Sequence, residues 1–287
     1  MRWWIATSGI VLLLSACSPG SQETVVTSTT SATTTTTRAP SNEICLAGDL
    51  PFAQDGLVAA LGEDTGDASS LAEIRWGPSA TCERLTVSFG AGLGAPATRL
   101  GPTGVSVIPY AGIVRIVLPP EIAVSGVADT LLEGSLVRAA YVFRDEHAIT
   151  IDIHAVDGVP ISARAFTTTS PASLVVDVTR ASTEAAPVGV TTTDTAVVIN
   201  PTPGLGQYPI VVEGYVVPGL PSLRVQLLDD GEPLADRSVA IAGSTDAWQF
   251  FTSTIDDGPI GTLVVFVGTV DDNDLPDTGA MVSVTME

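Results

Sequence analysis

The sequence predicts an all-β protein: two β-sandwich domains in series, behind an N-terminal apolar segment and a threonine-rich tract. Three observations carry this. Short runs of four to eight residues alternate apolar and polar, as in Leu85-Thr-Val-Ser-Phe89 and Ile149-Thr-Ile-Asp-Ile-His154. Turn signals such as Asp229-Asp-Gly231 and Asp256-Asp-Gly258 separate them at regular spacing. Only one short stretch has a period compatible with a helix. Short alternating strands with regular turns argue a sandwich or barrel.

Residues 1–17 read MRWWIATSGIVLLLSAC. Arg2 is a short positive start, and Ile5 to Leu14 is mostly apolar. That run is too short to span a bilayer, which takes about 20 residues. It therefore reads as an export signal. The end, Leu14-Ser15-Ala16-Cys17, resembles the lipobox of bacterial lipoproteins. The resemblance implies that Cys17 receives a diacylglycerol and becomes the first residue of the mature chain. Two acyl chains give stable anchoring where one gives only marginal binding. The expected location is outside the cytoplasm, on the cell membrane of a bacterium.

Residues 18–41 are expected to be a disordered Ser/Thr-rich linker, with TSTTSATTTTT at its centre (27–37). Such a tract cannot offset its ordering entropy by burial. It would reach roughly 25–30 Å as a coil and up to about 75 Å as a polyproline-like stalk.

Charge narrows the partners. All 12 basic residues are arginine, against 32 Asp and Glu, and the net charge is −20. Removing the signal takes away one arginine more. Nucleic acid is excluded as a partner, because its binding needs basic side chains on phosphates. Anionic lipid heads are equally disfavoured, so the lipid at Cys17 must hold the protein on its membrane. The lysine-free composition, rich in Ala, Gly, Val and Thr, points to a high-GC Gram-positive bacterium.

With Cys17 taken, Cys45 and Cys82 form an even pair in an oxidising compartment and read as one disulfide. Closing a loop of about 37 residues would contribute roughly 3–4 kcal/mol in the chain-entropy model. A redox or metal pair is the alternative. The spacing is far from CxxC and the chain has only two histidines.

Residues 42–182 are the first expected domain. Phe52 to Leu61 reads as a short helix and Asp64 to Ser70 as a polar loop. Strands follow at Leu85–Phe89, Val105–Ile108, Ile113–Leu118 (stopped by Pro119-Pro120), Val137–Arg144, Ala148–Ala155, Ala163–Phe166 and Leu174–Val178. In Ala148–Ala155, the three isoleucines face one way, and Thr150, Asp152 and His154 the other. Residues 183–195 read as a second linker. Residues 196–287 hold seven strands over about 90 residues: Val197–Ile199, Ile210–Val216, Leu223–Leu228, Val239–Ala242, Gln249–Thr254, Leu263–Val270 and Met281–Met286. That count and spacing is the pattern of an immunoglobulin-like sandwich, without the Cys-Trp-Cys hallmark of antibody domains. Trp248 fits a core aromatic.

Two family resemblances accompany these strands. TCERLTVSF (81–89), GSLVRAAYVFRDEHAITIDIHAVDG (134–158) and PISARAFTTTSPASLVVDV (160–178) resemble the AMIN-like domains of bacterial cell-envelope proteins. Ala172-Ser173 stand where that family usually carries an arginine. The resemblance implies targeting to the cell wall. Ile199-Asn-Pro201, Ile210 to Tyr215, Leu228 to Gly231, Trp248-Gln-Phe250 and Gly261 to Phe266 resemble the immunoglobulin-like domain that accompanies GerMN modules in spore-germination and surface lipoproteins.

Catalytic chemistry finds little support. A zinc hydrolase needs about three His or carboxylate ligands and an open position. His147 and His154, seven residues apart, are expected to be exposed strand-edge side chains. No G-x-S-x-G elbow occurs. Asp145-Glu146 reads as solvated charge in a turn, and Gly90 to Gly94 as a turn rather than a dinucleotide loop. Asp271-Asp-Asn-Asp274 with Asp277 offers oxygen ligands in the manner of a calcium loop, but lacks the EF-hand glycine and glutamate. A solvated loop is favoured. No catalytic, cofactor or metal site is therefore expected. The expected function is non-catalytic: binding peptidoglycan or another envelope protein. The alternatives are an accessory subunit that positions a wall hydrolase or germination enzyme, and a hydrolase with an unrecognised site.

Overall fold

The computed structural model describes residue 45 and residues 49–78, 81–124, 129–144, 147–182, 185–241 and 246–287. The signal, Cys17 and the threonine-rich tract lie outside the described residues. The first half contains β1 (Gly56–Leu61), β2 (Ser70–Gly77), β3 (Cys82–Gly90), β4 (Thr103–Ile108), β5 (Ile113–Leu118), β6 (Ala123–Val124), β7 (Asp129–Leu131), β8 (Val137–Arg144), β9 (Ile149–Ala155), β10 (Ile161–Thr168) and β11 (Ser173–Arg180). The second contains β12 (Thr191–Thr192), β13 (Ala196–Asn200), β14 (Gly204–Gly206), β15 (Ile210–Val216), β16 (Ser222–Asp229), β17 (Glu232–Ala240), β18 (Trp248–Ile255), β19 (Gly261–Val270) and β20 (Pro276–Met286). The chain is all-β, as the alternation predicts.

One long sheet runs through both halves in the order β1-β4-β5-β9-β8-β18-β15-β13-β12, with β7 also on β8. A sheet in the order β10-β11-β3-β2-β6 covers its first arm. Leu85, Val87, Phe89, Ile116, Ile151, Leu174 and Val176 meet in that core. A sheet in the order β14-β20-β19-β16-β17 covers the second arm, around Val212, Val225, Leu227, Phe251, Val265 and Val282. The arms join where β18 runs parallel to β8, through Trp248 opposite Phe143 and Gln249 opposite Arg144. The described residues, from Cys45 onward, belong to one compact unit.

Two expectations change here. The helix expected over Phe52–Leu61 is instead β1, antiparallel to β4 with Gly56 opposite Val107. Gly56 has φ +61, which interrupts a right-handed helix, and the five residues after it are too few to nucleate one. An unpaired β4 edge satisfies their backbone groups. The segment read as a linker, 183–195, is held to the fold at several described positions, although Ala185, Ala186, Val188 and Asp194 are exposed. Pro187 is buried against Gly112, where a Cβ would sit 3.3 Å from the proline ring; Gly112 also holds φ +64. Val188 N–H donates to the Tyr110 carbonyl, and Thr191–Thr192 pair with β13.

The expected polar loop at 64–70 is present and tied down. Asp67 accepts from Thr98 N–H (2.9 Å), Thr98 Oγ1 (2.7 Å) and Arg99 N–H (2.7 Å). These donors, the Thr98 hydroxyl first, lower its pKa to about 2.

Buried charge holds the first half in register. Cys45 and Cys82 are bonded, with Cα atoms 6.1 Å apart. The buried Asp177 carboxylate takes Arg84 on both oxygens (2.6 and 2.9 Å) and Arg164 at 3.0 Å. Arg164 continues to the Cys45 and Leu50 carbonyls and lies over the Phe52 ring. Glu83 is buried at the start of β3. Its Oε1 accepts from Ser135 N–H (2.7 Å), Ser135 Oγ (3.0 Å) and Leu136 N–H (2.9 Å), and its Oε2 from Val137 N–H (3.1 Å) and Trp76 Nε1 (3.2 Å). One carboxylate thus satisfies the backbone that leads into β8. Removing it leaves buried donors without acceptors, at about 1–3 kcal/mol for each group that water cannot reach. Glu83→Ala is expected to lower unfolding free energy by about 3 kcal/mol or more in urea titration, and Glu83→Gln by a smaller amount.

Candidate functional site

Strand β8 is buried on both faces. Val137, Ala140 and Val142 point into the first core. Ala139, Tyr141 and Phe143 point the other way, into a third cluster with Ile113, Val197, Ile199, Tyr215 and Trp248. These side chains come from the outer faces of the two arms, so the arms meet across an aromatic seam. Phe143 stacks on Tyr215, with centroids 4.7 Å apart and planes 14° apart. Tyr141 meets Trp248 in a T-shape at 5.2 Å.

The polar face of β9 enters the same seam. His154 and Asp152 are buried, so the exposed strand-edge position expected for His154 is incorrect; alternation gives its face correctly, but the second half covers that face. His147 is exposed in the turn before β9. His154 Nε2 is hydrogen-bonded to the Tyr215 hydroxyl. Asp152 receives Arg115 on both oxygens, at 2.8 and 2.7 Å, and Arg115 lies 5.5 Å from the Phe143 ring centroid. Burial first, then the Arg138 and Arg115 guanidiniums, holds the His154 pKa well below that of an ordinary imidazole. Burial, then the Asp152 and Tyr141 charges, pushes the Tyr215 phenol well above its usual value. Burial raises the Asp152 carboxyl and Arg115 pulls it back.

At the edge of the seam lies a cleft of about 470 Å³. Arg138, Ala139 and Tyr141 of β8 form one wall. Thr192 of β12, the following Thr193 and Asp194, Val217 and Trp248 form the other. Arg138 Nη2 donates to Thr192 Oγ1 at 2.9 Å, and Nη1 is 3.8 Å from Asp157. The Arg138 Nε and Trp248 Nε1 groups are buried with no hydrogen-bond partner among the described residues. His154 Nδ1 is a third such atom, deeper in the seam.

No family model matches the chain, and no match is found among curated proteins or solved structures. The site is therefore judged on its geometry. His154 and Tyr215 are sealed from solvent at 1% and 0% exposure, which suits a structural hydrogen bond and gives a substrate no access. The cleft offers aromatic edges, methyl groups, hydroxyls, a guanidinium and one exposed carboxylate, a set suited to holding a small polar molecule.

The remaining candidates fall apart individually. Asp145-Glu146 lie outside the described residues. Gly92–Gly94 form a single turn after β3. In the acidic loop, Asp271 is spent on Asn273 N–H (2.8 Å) and Leu275 N–H (3.0 Å), and Asp274 on Arg224 (3.1 Å). Among the described residues no group of three His, Cys, Asp or Glu is placed to hold a metal. Spacing could not reveal the cleft, because Arg138 and Trp248 are distant in sequence and meet only through the β8–β18 junction.

A pH dependence follows from His154. The unfolded chain binds a proton below about pH 6.5, and the folded chain resists it. Stability is then complete above pH 6.5 and falls as pH drops, by about 1.4 kcal/mol per pH unit between that value and the depressed folded pKa. Asp152 works in the opposite sense, starting from the ordinary carboxylate range near pH 4. Denaturant midpoints between pH 7 and 5 should show the His154 slope, and His154→Gln should remove it.

Proposed function

We propose that this chain is a non-catalytic lipoprotein of the bacterial cell surface, anchored through Cys17, that binds a cell-wall component or an envelope partner. The observation that carries the binding reading is the cleft where the two arms meet, built from both halves of the chain and lined by Arg138, Thr192, Thr193 and Asp194 beside aromatic rings. The Leu14-Ser15-Ala16-Cys17 pattern supports the location. The threonine-rich tract is long enough to lift the β unit off the membrane. Resemblance of the two halves to AMIN-like and GerMN-associated immunoglobulin-like domains supports the wall as the target. A net charge of −20 argues against nucleic acid.

Two measurements test it. Cys17→Ala should move the protein from the membrane fraction to the medium; continued membrane retention contradicts the anchor. Purified mature protein should co-sediment with purified peptidoglycan. Retention that requires added envelope proteins favours an accessory role instead, and turnover of wall fragments by the pure protein would contradict the non-catalytic reading.

A further inference from the structure

We propose that residues 187–193 are an acid-released strap: a proton taken up by His154, in the crevice beneath them, frees them from the first arm and opens one wall of the cleft. The proposal does not depend on what the cleft holds. Pro187, Gly189 and Val190 roof a crevice whose floor includes Arg138, His154 and Ala155, and no water molecule fits inside it. His154 is 1% exposed beneath this cover. Tyr215 and the seam rings close its other side. The strap itself is lightly held. Val188 N–H donates to the Tyr110 carbonyl at 3.0 Å, and Thr191–Thr192 form a two-residue ladder with β13. Arg138 Nη2 reaches Thr192 Oγ1 at 2.9 Å, and Thr193 N–H closes a turn on the Ala196 carbonyl at 2.9 Å. Of residues 187–193 only Pro187 is buried. A segment with few buried contacts and so short a ladder opens at less cost than the sheets around it.

The closed crevice is a poor place for a proton. His154 Nε2 is bonded to the Tyr215 hydroxyl, and Nδ1 has no partner among the described residues. An imidazolium carries N–H on both nitrogens, so in the closed form one of them lacks an acceptor. The surrounding charges oppose it as well. Arg138 on β8 and Arg115 on β5 are both cationic. Asp152, two residues away on the same face of β9, is already taken by Arg115 on both oxygens. Asp157, after β9, is 75% exposed and faces Arg138 at 3.8 Å. Tyr141 on β8 and Tyr215 on β15 are neutral phenols, and residues 187–193 bring no ionisable side chain. Burial and the two guanidiniums hold the His154 pKa well below that of an ordinary imidazole while the strap is closed. Opening lets water solvate the cation and restores the ordinary value. The ratio of open to closed strap therefore rises about tenfold for each pH unit below about 6.5, until the closed-state pKa is reached. Thr192 and Thr193 line the cleft, so release of the strap takes that wall with it.

Amide hydrogen exchange of the nitrogen-15 labelled full chain, corrected for the intrinsic rate at each pH, tests this. The Val188 and Thr193 N–H groups should lose protection about tenfold between pH 6.5 and pH 5.0. They should do so through an opening that 1 M urea barely changes, since it exposes little surface. Ile151 and Val265, in the two cores, should exchange far more slowly and with a steep urea dependence, which separates strap release from global unfolding. Pro187→Ala, which removes the ring carbons packed on Gly112, should raise strap exchange several-fold at both pH values and preserve the pH ratio. His154→Gln should abolish the ratio. Strap protection that is equal at the two pH values overturns the proposal. So does a ratio that survives in His154→Gln, or strap amides that share the urea dependence of the cores. Should His154→Gln fail to fold, Pro187→Ala decides: strap exchange without a pH ratio in that variant overturns the proposal equally.

Discussion

The double burial of β8 is the constraint on which the rest of the structure depends. A strand with one wet face can sit at the edge of a single sandwich. Here Tyr141 and Phe143 need cover on the side opposite Val142, and only the second half supplies it. The two-residue ladder between β8 and β18 would be a weak joint by itself. Ring contacts with Tyr215 and Trp248 reinforce it, each pair contributing about 0.5–1.5 kcal/mol beyond its buried area. Apolar rings alone tolerate sliding. The His154–Tyr215 hydrogen bond is directional, so it selects one alignment of the arms, while the two-pronged Arg115–Asp152 pair fixes β5 against β9 within the first arm.

Much of this fold is legible in the residues. Alternation identifies β4, β5, β8 and β9 within a residue or two and β3 from its fourth residue onward, and it sorts Ile149, Ile151 and Ile153 from Thr150, Asp152 and His154 correctly. What alternation lacks is any statement of what covers a face. A polar face is read as wet by default, and on β9 that default fails because the covering surface begins some forty residues later in sequence. The opposite error occurs at β17. Its exposed edge position removes the need for alternation, so only Val239 and Ala240 are anticipated of a strand that begins at Glu232.

The cleft is harder to see for a related reason. Thr192, Thr193 and Asp194 belong to a polar stretch with the composition of a spacer, and nothing local distinguishes them from one. Trp248 stands out as a core aromatic, which it is, but its unpaired indole becomes apparent only with its surroundings in place. Glu83 shares a face with Leu85, Val87 and Phe89, and nothing local shows what a carboxylate meets on that side. The loop before β8 folds over it and turns it into an acceptor for the backbone.

The disulfide has a mechanical meaning. Cys82 opens β3, the middle strand of its five-stranded sheet, and Cys45 precedes every strand in the chain. Tension arriving along that chain passes through a covalent bond into an interior strand flanked by β11 and β2. It does not peel an outer strand away one hydrogen bond at a time. Arg164, clamped between Asp177 and the Cys45 carbonyl, braces the same point. Were the chain held through Cys17 as proposed, a pull from that side would reach the fold at its braced interior and not at an edge strand.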